Sequence, residues 1–296
     1  MASNEPIAVL NAEPIPEGTI IAAPPLPSAP VSYPLAEALA YDAPWSWQLM
    51  PQGLIWHSYL AGVKEPRVAS VFNYQKGLGW NWDPTIGARI GLLRYGTMNS
   101  FKPEGWQLDV EGAAFPELRL NNDFDMRATD FRVGIPLTYG MGKWQFKFEV
   151  YHLSSHIGDE FLLKNPDFVR LEYSRNALVF GASYFPTENI RLYAEMDWAF
   201  YTFGVTQPWQ FQFGAEYSPI FNTGFRGSPF FAINGHLRQE IAFGGNVNVQ
   251  VGWQWLSGAN GARTRVGLQY FNGKNEMYQF YNDFVQELGI GIWYDY

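Results

Sequence analysis

Cysteine is absent from the 296 residues. That excludes disulfides, thiolate metal sites and a cysteine nucleophile. Charge is scarce: Asp, Glu, Lys and Arg make up 16% of the chain, against about 25% in an ordinary soluble domain. No Lys or Arg precedes Lys64, and the formal net charge is −8. A surface for nucleic acid is therefore not expected. No apolar run approaches the roughly 20 residues of a membrane-spanning helix. The start, Met1-Ala-Ser-Asn-Glu5, has neither the basic residues nor the apolar core of a secretory signal. For an exported protein, the expectation is a mature form.

What remains is aromatic. Phe, Trp and Tyr make up 18% of the chain, yet mean hydropathy is only −0.18. Residues 1–40 hold eight of the twenty prolines, with Glu5, Glu13, Glu17 and Glu37. Such a stretch is expected to be an extended tether, either passive or bound to a partner. Residues 41–66 contain Trp45, Trp47 and Trp56 without a sustained period. They form a transition that could line or plug the mouth of the domain that follows.

From Arg67 to Tyr296 the pattern is alternation, which marks strands with two different faces. In 144–154, Trp144, Phe146, Phe148 and Val150 oppose Gln145, Lys147 and Glu149. Segments 106–114, 129–139, 190–200, 209–217 and 247–255 repeat the pattern. Weaker versions run near 67–76, 86–96, 170–185, 229–238, 263–271 and 285–296. The sum is about twelve strands, within 10 to 14, in an antiparallel all-β transmembrane barrel. Closure is a physical requirement, because an open edge in lipid leaves backbone groups unpaired. The apolar rows would face lipid. The polar rows would face the lumen, with Arg89, Asp109, Glu111, Glu117, Arg132, Lys147, Glu149, Arg191, Glu195, Glu216, Arg238 and Arg265 among them.

With an even strand count and a periplasmic N-terminus, short turns are expected inside at 140–143, 185–189 and 257–262. Long loops are expected outside at 155–169 and 272–284. Trp106, Tyr139, Trp144, Tyr184, Tyr217, Trp253 and Trp255 would form the inner aromatic girdle. The end of the chain, with Leu288, Ile290, Ile292, Tyr294 and Tyr296 at alternate positions, resembles the signal read by the outer-membrane barrel assembly machinery.

The stretch Tyr151-His152-Leu153-Ser154-Ser155-His156-Ile157-Gly158-Asp159-Glu160-Phe161 is distinctive. With the upstream segment MPQGLIWHSYLAGVKEPR, it resembles a bacterial domain-of-unknown-function family of outer-membrane proteins over roughly residues 50–296. That resemblance implies a barrel and a location, and no activity. A narrower resemblance carries chemistry: His-x-Ser on one strand is similar to outer-membrane phospholipase A and lipid A deacylase. It implies Ser154 as nucleophile and His152 as its base, both facing the outer leaflet. Residues two apart on a strand share a face, so the two side chains can meet. The phospholipase orients its His with an Asn on the next strand. Aligning Trp144 with Tyr184 puts Asn176 beside His152 and Ser174 beside Ser154. Glu172, Asn165 and Asp167 are the alternatives. This chain departs from the phospholipase pattern after the Ser, reading Ser155-His156-Ile157-Gly158 in place of Asn-Gly. Asp159 and Glu160 could bind Ca²⁺ if the hydrolase requires it. The alternative role for His152, Ser154, His156, Asp159 and Glu160 is a hydrogen-bonded cap that anchors the outer loop.

Two functions follow. One is a non-enzymatic barrel in the outer membrane, surrounded by lipid: a narrow channel, or a structural barrel presenting its tail to a partner. The other is an outer-leaflet lipid acyl hydrolase built on His152, Ser154 and Asn176.

Overall fold

The structure, a computed structural model, describes residues 44–223, 226–257 and 260–296. The expected tail of residues 1–40 lies outside the described residues. So do the first residues of the transition segment.

Among the described residues thirteen strands form one antiparallel sheet: β1 (Ser46–Leu49), β2 (Val68–Gln75), β3 (Gly79–Gly96), β4 (Gly105–Arg119), β5 (Asp125–Met141), β6 (Trp144–Ile157), β7 (Tyr173–Thr187), β8 (Ile190–Gly204), β9 (Trp209–Tyr217), β10 (Ser228–Arg238), β11 (Gly244–Ser257), β12 (Ala262–Lys274) and β13 (Phe284–Asp295). Each pairs with its sequence neighbours from β2 to β13. The pairing of β13 with β2 closes a ring of twelve. Alternation is why. Each strand has one apolar face and one polar face, and a closed ring satisfies both, with every backbone ladder paired. Phe148, Val150, Leu268, Ile290 and Ile292 are exposed on the outer face, while Lys147, Glu149 and Arg265 are buried in the lumen.

The remaining strand, β1, lies on the same track as β2. The first part of β3 pairs with β2, from Gly79 with Gln75 to Ile86 with Val68. Its last residues pair with β1, from Leu93 with Leu49 to Gly96 with Ser46. Between Leu49 and Val68 the chain leaves the wall. Pro51 has no N–H to give a ladder, and Gly53 takes φ 77°. A Cβ at Gly53 would stand 1.8 Å from the Ser100 carbonyl oxygen, so the exit turn demands glycine.

The excursion passes through the lumen. Arg89 of β3 donates to the Trp56 carbonyl at 2.8 Å, and Arg191 of β8 to the His57 carbonyl at 2.9 Å. The Leu60 N–H donates to Glu216 of β9 at 2.6 Å, and Asn248 of β11 donates to the Ala61 carbonyl at 2.8 Å. Lys64 pairs with Asp130 of β5 at 2.6 Å and Arg67 with Asp295 of β13 at 3.0 Å. A loop bonded to strands all around a ring can only lie inside it. Leu54, Ile55, Trp56, Tyr59, Leu60 and Ala61 are correspondingly buried.

The other end is covered as well. The β12–β13 connection turns inward, and Tyr278 stacks on Tyr173 with centroids 4.4 Å apart. Gln279 donates to the carbonyls of Ser155 at 2.9 Å and Leu171 at 2.8 Å.

The expected short turns join β5 to β6, β7 to β8 and β11 to β12 at the β1 end. The long connections 158–172 and 275–283 do lie at one end, opposite β1. However, 76–78 and 205–208 at that same end are short, and 97–104 and 218–227 at the β1 end are long. Residues 97–104 form the floor beneath the lumen loop: Arg94 donates to Asn99 O at 3.2 Å and to Gly53 O at 2.8 Å. Length there follows from filling the barrel mouth. The girdle pairs are present at the β1 end, with Trp106 on Tyr139 at 4.6 Å and Trp144 on Tyr184 at 4.7 Å.

Candidate active site on the outer wall

The outward row of β6 runs Trp144, Phe146, Phe148, Val150, His152, Ser154 and His156. Polarity begins only at its far end. Ser154 is ten residues beyond Trp144. At about 3.3 Å per residue and about 40° of tilt, that is about 25 Å, the height of an apolar band. His152, Ser154 and His156 therefore sit at the far edge of the lipid-facing surface.

Register decides their neighbours. His152 pairs with Asn176 of β7 and Ser154 with Ser174. On β5, Val133 lies across from His152 and Phe131 from Ser154. His152 Nδ1 is 2.7 Å from Asn176 Oδ1. An amide oxygen only accepts, so Nδ1 carries the proton and donates. That leaves the Nε2 lone pair of neutral His152 free to take a proton. Of the alternative orienting residues, Asn165 donates to the Phe161 carbonyl at 2.8 Å instead, and neither Glu172 nor Asp167 bonds His152.

Ser154 Oγ is hydrogen-bonded at 3.2 Å to His156 Nε2. Among the described residues no hydrogen bond joins Ser154 to His152. The sequence pattern could not distinguish these partners, because His152 and His156 each stand two residues from Ser154 on the same face. The His156 ring sits edge-on to Phe131 with centroids 5.7 Å apart.

The inner side of this wall is tightly packed. Tyr151, Leu153, Tyr173, Ala177, Val179, Ala199 and Tyr278 form one buried cluster. Arg175, next to Asn176, pairs with Asp197 at 2.6 Å, and the Tyr151 hydroxyl donates to the same carboxylate. A β-bulge follows Asn176: it pairs with Tyr201, while Ala177 pairs with Ala199, so Phe200 is extra. Bulges re-aim side chains and recur beside active sites. Phe200, Tyr201 and Phe203 are exposed next to the site.

Of the five residues expected to cap the outer loop, Ser154 and His156 are hydrogen-bonded to each other. Asp159 and Glu160 open a short helix, α1 (Asp159–Lys164), and among the described residues no hydrogen bond joins them to His152, Ser154 or His156. The loop is anchored by Gly158 N–H donating to the Arg127 carbonyl at 2.9 Å, and by Phe161 and Phe168 packing on Phe280. A Cβ at Gly158 would meet the Met126 carbonyl oxygen at 1.8 Å. Among the described residues no three His, Cys, Asp or Glu side chains gather to hold a metal.

The lumen residues form a bracing network. Arg132 joins Glu111 at 3.3 Å to Glu149 at 2.8 Å, and Lys147 joins Glu149 at 3.2 Å to Glu195 at 2.8 Å. Arg89 donates to Glu111 at 2.6 Å, Gln107 to Asp109 at 2.6 Å and Arg127 to Glu117 at 2.7 Å. Arg238 donates to the Asn275 carbonyl at 2.8 Å, Arg265 to Asp295 at 2.7 Å, and Arg191 lies 3.7 Å from Glu216. Small spaces remain on either side of Val63 and Lys64. The C-terminal row Leu288, Ile290 and Ile292 is exposed outward. Tyr294 and Tyr296 contact each other at 5.1 Å.

No curated protein matches the chain. Among solved structures it is similar to the outer membrane phospholipase of Salmonella typhi, crystallised as a dimer with bound calcium, with TM-score 0.51 and 13% identity over 77% of this chain and 91% of that one. Outer membrane phospholipase A of Escherichia coli gives TM-score 0.50 and 11% identity over 77% and 90%. The KdgM porin gives 0.43 and 7% over 77% and 98%. At these identities the likeness to the two phospholipase structures shows the fold alone, an outer-membrane-type β-barrel. The family is shown by sequence: a family model matches residues 46–296, and the chain belongs to the family described as Protein of unknown function (DUF1207).

Proposed function

We propose that this barrel is an acyl-ester hydrolase of the bacterial outer membrane, acting on phospholipid-like substrates from its lipid-facing wall. The carrying observation is the 2.7 Å bond from His152 to Asn176, on the same outward surface as Ser154. The two similar solved structures are outer membrane phospholipases, which supports the same choice. The N-terminus is periplasmic in this reading, and the far end meets the outer leaflet.

The chemistry divides into two steps. Ser154 Oγ attacks the ester carbonyl carbon while its proton passes to His152 Nε2. The carbonyl pair moves onto oxygen and returns as the C–O ester bond breaks, and the alcohol leaves with that proton. Water then attacks the acyl-serine, again giving its proton to His152, and the fatty acid departs as Ser154 recovers its hydrogen. Asn176 holds the His152 tautomer throughout.

The lumen supports a closed barrel over a channel, because a loop and a cap both cross it. As a pure structural barrel, the protein would leave the outward His–Asn pair unexplained. The test is fatty-acid release from phosphatidylethanolamine in mixed micelles by purified folded protein. Release that Ser154→Ala and His152→Ala abolish is expected. Activity surviving Ser154→Ala would sink the assignment.

A further inference from the structure

Ser154 has one hydroxyl and two histidine neighbours. His152 is tied across to β7 by Asn176, whereas His156 turns toward β5 and lies edge-on to Phe131. In this arrangement the hydroxyl is bonded to His156 at 3.2 Å and not to His152. The base with the fixed tautomer therefore lacks the nucleophile. The histidine that holds the nucleophile has no orienting acceptor of its own among the described residues.

Resting on the hydrolase reading, we propose that His156 is a positioning residue that keeps the Ser154 hydroxyl off His152 until a lipid ester displaces it. An ester carbonyl must approach Ser154 from the lipid side, where the exposed His156 ring stands. Contact with the acyl chain then shifts the His156 ring away from Ser154 and lets the hydroxyl turn to His152. This makes the site self-inhibited in the absence of a lipid surface. One exposed hydrogen bond is broken to activate it, which corresponds to about three- to tenfold in rate.

A long-chain fluorophosphonate in detergent tests this with the full chain. The Oγ–P bond forms, the P–F bond breaks, fluoride leaves and the hydroxyl proton passes to His152. His156→Ala is expected to label about three- to tenfold faster than the parent, and His156→Gln, whose amide can still hold the hydroxyl, close to the parent rate. Ser154→Ala should not label. Heat-modifiable gel mobility confirms that each variant is folded; the residue is exposed, so folding is expected to survive. If the parent labels but His156→Ala is no faster, the inhibitory role is overturned while the hydrolase stands. If His156→Ala is as dead as His152→Ala, His156 is itself the base and the proposal falls. If folded parent and variants all fail to label, both the inhibition and the hydrolase are wrong.

Discussion

Tyr59, on the loop inside the lumen, stacks on Tyr193 of the β8 wall with ring centroids 3.7 Å apart and planes 11° from parallel. Its hydroxyl donates to Glu195 at 2.9 Å. Beside it the buried Trp56 ring meets Gly181, where an added Cβ would touch the ring at 3.1 Å. The loop is thus a packed core element, and its large side chains brace the barrel. Trp56→Ala or Tyr59→Ala should destabilise the folded barrel by about 3–5 kcal/mol, the usual scale for a buried aromatic. Urea titration by tryptophan fluorescence or gel shift reads this. An unchanged midpoint would mean the loop packs passively.

The same packing predicts electrical behaviour. The parent barrel in planar bilayers should be silent. Trp56→Ala combined with Tyr59→Ala should introduce measurable current, since it empties the part of the lumen the rings occupy. A parent with steady porin-like conductance would contradict the closed lumen.

Lys147 stands between two acids, 3.2 Å from Glu149 and 2.8 Å from Glu195. Removing it leaves like charges facing one another away from water. Lys147→Met should cost about 3–5 kcal/mol, and adding Glu195→Gln should restore part of that loss. The comparison is made as a double-mutant cycle. Additive losses would show that the three groups do not act together.

His57, in the loop outside the strands, donates from Nδ1 to the Tyr296 carbonyl at 2.9 Å. Burial, with the nearby Arg263, Arg191 and Arg89 charges, pushes its pKa down from 6.5 to about 3, against the weaker upward pull of that hydrogen bond. The unfolded chain takes up this proton first. The stabilisation from neutral His57 is therefore full above pH 6.5 and is lost as pH falls toward 3. The slope is about 1.4 kcal/mol per pH unit within that window. His57→Gln should flatten the acid side of the stability curve by that amount. An identical pH profile would remove His57 as a cause.

At the outer wall, Asn176 and Ser174 are adjacent polar positions on one strand with different partners. Asn176→Ala frees the His152 ring and should lower kcat about 10²-fold with little change in KM. Ser174→Ala, the control, should leave kcat near the parent value. Equal effects would show that the surface patch matters and the His152–Asn176 bond does not.

The period-two alternation determined most of the fold, because it assigns each side chain to lipid or lumen without knowledge of contacts. Phe148 and Lys147 could be separated that way, and so could Ile290 and Arg265. The β6–β7 register was also legible. The strands are joined by the long connection 158–172, but aligning the girdle pair Trp144–Tyr184 at the opposite end gives the pairs above it, Asn176 with His152 included. The loop 50–67 was not legible as a set of contacts: it has no period, and its shape is dictated by the charged lumen it fills. Nor could the sequence place β1 on the track of β2, since that pairing depends on where the loop returns to the wall. The long connection 97–104 at the β1 end was not foreseen for a related reason, as it is folded against the lumen loop. The choice between His152 and His156 for the Ser154 hydroxyl was likewise decided by tertiary structure. Both lie two residues away on the same face, and only Asn176 on one side and Phe131 on the other distinguish them.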